Sequence, residues 1–294
     1  MTLPITRWLL LASLLCVSLS GRAADVTVIH NQAEPKYFVG LLEAALEATR
    51  DMGGFTVKPS ESRLSTARLI DAIADDTGAA NIMTRGSNLE EEERLMPVRI
   101  PLDRGLLGYR IMLVRKADVG RFANVSSVEE LRRIPIGQGS RWPDANILRA
   151  SGMNVVGGYY SPGLLRMLDE GRFDMFARAP WEAPASLAEA EKQGLTDIVI
   201  EPSLVLVYPY PRIFMVSRKG NGPELAKRLE TGLRRMIANG QFEAMFNEFF
   251  GPAIENTRLR ERRVLRIDNK LISPATPFDD PSLWFASQTR SQQP

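Results

Sequence analysis

The sequence predicts an α/β protein of two similar lobes, each a mixed, mostly parallel sheet flanked by helices, joined by a two-strand hinge. Three observations predict it. Short β-branched strands alternate with amphipathic helices from Val26 to Thr84. The same alternation restarts near Ser126 and runs to Val207. The chain then returns through Pro209 and Pro211 to a further strand and a helix pair, so one lobe is interrupted by the other.

Residues 1–24 stand apart from that fold. Thr6 and Arg7 precede an apolar run from Trp8 to Leu19, and Gly21-Arg22-Ala23 offers small residues before a cleavage point near Ala23 or Ala24. This predicts a secretory signal peptide, the run being too short to span a membrane comfortably. Cys16 is the only cysteine and lies inside that run. The mature chain therefore has no disulfide, thiol nucleophile or thiolate metal site. An apolar content of 44% in 294 residues supplies a core without disulfides. A formal charge of +2, spread along the chain, gives no reason to expect nucleic acid. Arg258 to Arg266 is the densest basic run and reads as a solvated surface segment.

The first lobe is expected over 25–108. Val26 to His30 is a strand, and the helix from Tyr37 to Met52 places Phe38, Leu41, Leu42, Ala45, Leu46 and Thr49 on one face before Gly53-Gly54 stops it. Phe55 to Pro59, Ser65 to Asp76 and Ala80 to Thr84 continue as strand, helix and strand, with an extended run from Leu107 to Val114. The second lobe is expected over 109–208. Ser126 with Glu129 three residues on reads as a capping box. Strands follow at Ile134-Pro135-Ile136, Val155-Val156, Phe173 to Ala177, Ile198 to Ile200 and Leu204 to Val207. Between them, helices run from Asp144 to Ala150, from Ser161-Pro162 to Gly171, and from about Pro180 to Gly194. The first lobe resumes over 209–272 with a strand from Arg212 to Val216 and a helix from Glu224 to Asn239, whose Leu225, Leu229, Leu233, Met236 and Ile237 face inward. A shorter helix after Gly240 carries Phe242, Met245, Phe246 and Phe249, and a Pro- and Ser-rich tail, 273–294, has Trp284 as its anchor. The two connections near 103–109 and 208–212 form the hinge, and the gap between lobes becomes the site.

Four pieces of the chain then carry a resemblance that covers nearly all of the mature protein. They are Arg94 with Pro97-Val98-Arg99-Ile100-Pro101-Leu102; Val128-Glu129-Glu130-Leu131 with Ile136-Gly137-Gln138-Gly139-Ser140; Leu168-Asp169-Glu170-Gly171-Arg172-Phe173-Asp174; and Arg218-Lys219 through Ile237-Ala238-Asn239-Gly240-Gln241-Phe242. In this order they resemble the type II periplasmic solute-binding proteins, in particular the amino-acid-binding (family 3) branch. The resemblance implies a periplasmic-binding-protein-like clamp that closes on a small solute and delivers it to a membrane transporter. Its amino-acid binders hold the ligand carboxylate with an Arg before the first hinge, helped by a Ser or Thr, and the amine with an Asp of the second lobe. Ser140 matches the hydroxyl, and Arg94 is the candidate for the Arg. Thr84 lies too far upstream of Arg94 for the usual spacing, and the acidic run Glu90 to Glu93 crowds the place. The expected Asp falls near Arg178 or Ala179, and an Arg there repels an ammonium and favours an anion.

The residues themselves point to capture at two strand-to-helix turns, where free N–H groups of a helix start face the strand ends. Ser140 and Arg141 sit at the first. Ser140 either meets an anion there or merely caps the helix. Arg178 sits at the second, and either bonds a ligand oxygen or pairs internally with Glu182 or Asp174. Trp142 and Trp181 follow the two turns as candidate walls, with Tyr37, rather than the core-facing Phe38, in the matching place of the first lobe. His30, the only histidine, ends the first strand at the crevice edge, with no second ligand group to suggest a metal. The paired carboxylates at Asp75-Asp76, Glu90 to Glu93 and Asp279-Asp280 lie in polar runs and read as solvated. Gly137-Gln138-Gly139 lacks a third glycine for a dinucleotide fingerprint, so no cofactor is expected.

The expectation is a monomeric, periplasmic binding protein for a small anionic or carboxylate-bearing molecule, with a membrane transporter or sensor as partner. An enzyme on the same clamp is the first alternative, since some proteins of this fold are exported dehydratases; Glu182, His30 or Asp174 would then be the acid or base. A sensor or docking protein with a degenerate crevice is the second.

Overall fold

The computed structural model describes residues 25–285; the expected signal peptide with Cys16, and residues 286–294 of the tail, lie outside the described residues. Helix α1 (Lys36–Glu47) follows β1 (Val26–His30). Next come β2 (Phe55–Pro59), α2 (Thr66–Ala74), β3 (Ile82–Gly86), α3 (Leu89–Arg94) and β4 (Met96–Val98). The chain passes into β5 (Tyr109–Arg115), α4 (Val119–Phe122), α5 (Val128–Arg132), β6 (Ile136–Gly139), α6 (Pro143–Ala150) and β7 (Val155–Gly158). Then come α7 (Ser161–Asp169), β8 (Met175–Arg178), α8 (Glu182–Lys192), β9 (Ile198–Ile200) and β10 (Leu204–Val207). Finally β11 (Arg212–Val216), α9 (Gly222–Ala238), α10 (Gln241–Asn256) and β12 (Arg263–Arg266) complete the order.

These elements form a two-lobed α/β molecule. In the first lobe β1 and β2 pair in parallel, and β11 lies antiparallel between β3 and β4. Asn81 joins the two pieces where no ladder does: it accepts from the Ile29 N–H at 2.8 Å and donates to the Thr27 carbonyl at 2.8 Å. The second sheet runs β12-β10-β5-β8-β6-β7, with β9 also on β5. Alternation along β5 sends Ile111 and Leu113 to one face, with α7 and α8, and Met112 and Val114 to the other, with α5 and α6. Both faces are covered, so the run from Ile111 to Val114 is apolar throughout.

Two connections run antiparallel between the lobes and are laced together. Leu102 N–H donates to the Arg212 carbonyl at 2.8 Å and Tyr208 N–H to the Gly108 carbonyl at 3.1 Å. Asp103, fully buried, accepts from the backbone of Gly105, Leu107 and Arg212. Burial pushes its carboxyl up to about 6, against the pull of those three N–H groups.

Several local expectations shift. The cap of α5 is Ser127, which accepts from Glu130 N–H, while the Glu130 carboxylate reaches back to Ser126. The box is the one expected, moved on by one residue. The acidic run forms α3, and only part of it is solvated: Glu90 and Glu93 are exposed, but Glu92 is buried against Ser87 and Arg99, and Glu91 holds Arg85 at 2.5 Å. In the basic run Arg258, Arg260, Arg263 and Arg266 are exposed as expected, with one exception. Arg262 is buried, donating to the carbonyls of Thr257, Glu201 and Leu204, and β12 pairs in parallel with β10. β12 thus lies in the second sheet although it falls within 209–272. Among the described residues no helix is long and apolar enough to cross a membrane.

Candidate functional site

The C-terminal ends of the parallel strands β6 and β8, with the start of β11 opposite, carry the polar side chains that the fold brings together. β6 ends at Gly139, and Trp142 folds back over it; a β-carbon on residue 139 would strike the indole, so this close approach requires glycine. Trp142 stacks on Phe176 of β8 at 6.3 Å between centroids. The Arg178 guanidinium lies over both rings, 5.1 Å from Trp142 and 5.3 Å from Phe176. Its Nε donates to Ser186 at 3.1 Å, and its ion pair with Glu182 is 3.5 Å long.

The two helix starts expected to attract an anion already hold one of the chain's own. Asp144 sits in the first turn of α6, its carboxylate bonded to Arg110 and, at 2.5 Å, to the Tyr208 hydroxyl. Glu182 opens α8, accepts from the Ala179 N–H at 3.1 Å and reaches Arg110 at 3.4 Å. Burial alone would raise the Glu182 carboxyl, but Arg178, Arg110 and the Ala179 N–H outweigh it and hold it below the ordinary range. Arg110, buried on β5 under Tyr208, keeps its proton more tightly than a free arginine because Asp144, Tyr208 and Glu182 overcome its desolvation. For Arg178 the balance falls the other way: burial outweighs Glu182, and Arg110 adds repulsion, so its guanidinium is incompletely compensated.

The first lobe answers with a second guanidinium. Arg212, first residue of β11, lies 4.5 Å from the Phe38 ring centre, donates to Thr84 Oγ1 at 2.8 Å and pairs with Glu34 at 3.6 Å. Thr84 in turn bonds the Glu34 carboxylate. Arg212 adds a smaller pull that helps hold the Glu182 carboxyl low. Beside them the lobes meet through Trp181, edge-on to Phe250 of α10 at 4.9 Å.

Of the residues singled out from sequence, Arg178, Trp142 and Glu182 meet at one place. Ser140 and Arg141 lie exposed on the adjoining turn; the cap position of α6 is Trp142, and Ser140 Oγ packs beside Gly157 of β7 instead of capping. Arg94 is elsewhere: at the end of α3 it is half-exposed and paired with Asp71 at 2.8 Å on the surface. Tyr37 is no wall. It is buried, its hydroxyl donates to the Leu102 carbonyl at 2.9 Å, and its ring stacks on Phe249 at 4.8 Å. Phe38, set aside as core, is the ring that lies under Arg212. His30 is buried with Nδ1 2.8 Å from the Asn31 carbonyl oxygen. Asp174, the other proposed partner of Arg178, is engaged by Arg115 and Arg121.

Arg110, Asp144, Tyr208, Arg212, Thr84 and Glu34 were not found from sequence. A charged residue inside an apolar strand, as Arg110 is between Tyr109 and Ile111, was the available signal.

No protein-family model matches the chain, and neither does any curated protein sequence. Solved structures do. A histidine kinase sensor domain with similarity to periplasmic binding proteins superposes with a TM-score of 0.51 at 16% identity, over 77% of this chain and 96% of that one. The fold is that of the periplasmic binding proteins. A putative binding component of an ABC transporter from Wolinella succinogenes, complexed with lysine, gives 0.49 at 16% identity over 79% and 97%. An ancestral amino-acid-binding protein, a precursor of cyclohexadienyl dehydratase, gives 0.49 at 13% identity over 77% and 95%.

Proposed function

We propose that this is an exported, periplasmic solute-binding protein that captures a small carboxylate-bearing molecule between Arg178 and Arg212. The observation that supports it is the slackness of those two ion pairs, 3.5 and 3.6 Å, beside tight pairs such as Arg99–Glu92 at 2.5 Å. Two guanidiniums from different sheets lie on aromatic faces, each with a long ion pair to a carboxylate that has other partners. A ligand carboxylate that bonded either one would gain roughly 1.5–3 kcal/mol per charge-assisted bond. Trp142, which is partly exposed, is the wall for its apolar part. Capture that favours the closed arrangement would signal to a membrane transporter or sensor.

Binding without chemistry fits this site better than a dehydratase. Glu182, the best-placed acid, is held ionised by two arginines, the reverse of what a general acid near neutral pH needs. A second reading, a sensor with a self-filled crevice, draws on Asp144, Glu182 and Glu34, which occupy positions a ligand anion would take.

A thermal-shift screen of the mature protein against dicarboxylates, amino acids, aromatic acids, sugars and polyamines tests these readings. A ligand at about a thousand times its Kd adds about 4 kcal/mol, which a melting curve resolves. Stabilisation by a carboxylate, recovered unchanged by mass spectrometry, is the expected result. A dehydrated or otherwise altered product would replace the binder with an enzyme, and silence across the panel would favour the self-filled sensor.

A further inference from the structure

After β12 the chain crosses between the lobes a third time and returns to bind the first crossing. On the second-lobe side, Ile267 N–H donates to the Val207 carbonyl at 3.0 Å, and Ser151 Oγ donates to the Asp268 carbonyl at 2.9 Å. Asn269 then donates from Nδ2 to the Pro209 carbonyl at 2.8 Å, within the second crossing. Two residues on, the Leu271 carbonyl accepts from Leu89 N–H at 3.1 Å, which is the first turn of α3 in the first lobe. The chain then turns and, at Trp284 and Phe285, meets the first crossing. Phe285 N–H donates to the Arg104 carbonyl at 2.7 Å, and the Phe285 carbonyl accepts from the Tyr109 hydroxyl at 3.1 Å. Arg104 donates from its guanidinium to the Trp284 carbonyl at 3.2 Å. The Trp284 ring covers Gly105, whose φ of +76° and lack of a β-carbon allow both the turn and the close approach. Phe285 packs edge-on against Tyr109 at 5.5 Å and beside Phe246 of α10 at 6.2 Å.

We infer that residues 267–285 are a strap that restrains lobe opening. The two crossings alone would leave the lobes free to rotate where backbone dihedrals between them allow. The strap is hydrogen-bonded to both crossings and to both lobes, so wide opening must break contacts at Pro209, at Leu89, or at Arg104 and Tyr109. Stiffness of the hinge thereby resides in a segment outside the crevice, and a change at the tail alters ligand exchange without touching Arg178 or Arg212. This rests on the clamp reading for its consequence, but its test needs no ligand.

The mature chain has no cysteine, so spin labels can be placed at Arg63→Cys in the first lobe and Glu170→Cys in the second, both exposed. Inter-label distances are measured by double electron–electron resonance in the full mature protein, in a chain ending at Asp268, and in the double variant Trp284→Ala/Phe285→Ala. The full chain should give a narrow distribution, and both altered chains a broader one with a new longer component. Amide exchange of 104–109 should rise by about tenfold or more in the double variant, which keeps every backbone segment in place. If the truncated chain does not fold, the double variant decides. An unchanged distribution and unchanged exchange at 104–109 in a folded double variant overturn the strap.

Discussion

Arg110 and Arg178 stand on neighbouring strands, β5 and β8, and share one carboxylate, Glu182, yet they serve opposite ends. Arg110 is only 3% exposed, and Asp144, Tyr208 and Glu182 together more than repay its burial. Arg178 is 15% exposed, rests on two aromatic rings, and is left short of negative charge. A buried charge that is fully partnered holds a fold together. One that is partly partnered at the end of a strand is poised for something else. The number of arginines clustered there says little; the length of their ion pairs separates the fully partnered one from the other.

The comparison predicts its largest effect where pairing is most complete. Arg110→Ala strands Asp144 and Tyr208 in the second-lobe core, and removing one partner of a buried pair costs about 3–5 kcal/mol. Denaturant unfolding should show that loss, and a melting temperature within about 2 °C of wild type would break the contrast between the two arginines. Asp103 sharpens it from the carboxylate side, since it is buried with N–H donors and no tight ion pair. The rise from an ordinary 3.8 to about 6 corresponds to about 3 kcal/mol. The folded state holds this proton more tightly than the unfolded chain does. Stability owed to Asp103 is therefore complete below about pH 3.8 and is lost as pH rises through about 6. Unfolding free energies of wild type and Asp103→Asn, measured from pH 4 to pH 8, should change relative to each other by up to about that amount across the range; parallel curves would show Asp103 to be ordinary.

The smallest effect belongs to Glu34, the internal carboxylate on Arg212. Glu34→Gln keeps a bond to Thr84 within reach and removes the competing charge. Any carboxylate that wild type binds should then bind a few-fold tighter, a gain of under about 1.4 kcal/mol. Weaker binding in this variant would mean that Glu34 contacts the ligand favourably.

How much of this could be read from the sequence depended on the range of the interaction. Strands such as Val26–His30, Phe55–Pro59 and Arg212–Val216 were legible to the residue, because β-branched runs bounded by Gly, Pro or Asn are local signals. The helix over α9 was legible for the same reason, through its 3.6-residue apolar stripe. β12 was hidden because Arg263 and Arg266 flank only two apolar residues, and its pairing with β10 lies some sixty residues away. Arg178 and Trp142, which the structure brings together, were singled out because they sit beside turns that the sequence marks. Arg212 was missed because its partners, Thr84 and Glu34, come from two other segments, and only the antiparallel pairing of β11 with β3 unites them. Arg94 was chosen by its place along the chain, and Asp71, contributed by α2, claims it on the surface.

The most direct test is calorimetric titration of dicarboxylates and amino acids into wild-type protein and Arg178→Ala side by side, with circular dichroism to confirm that the variant is folded. Wild type should bind a carboxylate one-to-one and saturably, and the variant tenfold or more weakly, a loss of at least about 1.4 kcal/mol. Equal affinities in the two proteins, or binding only by molecules without an anionic group, would contradict it.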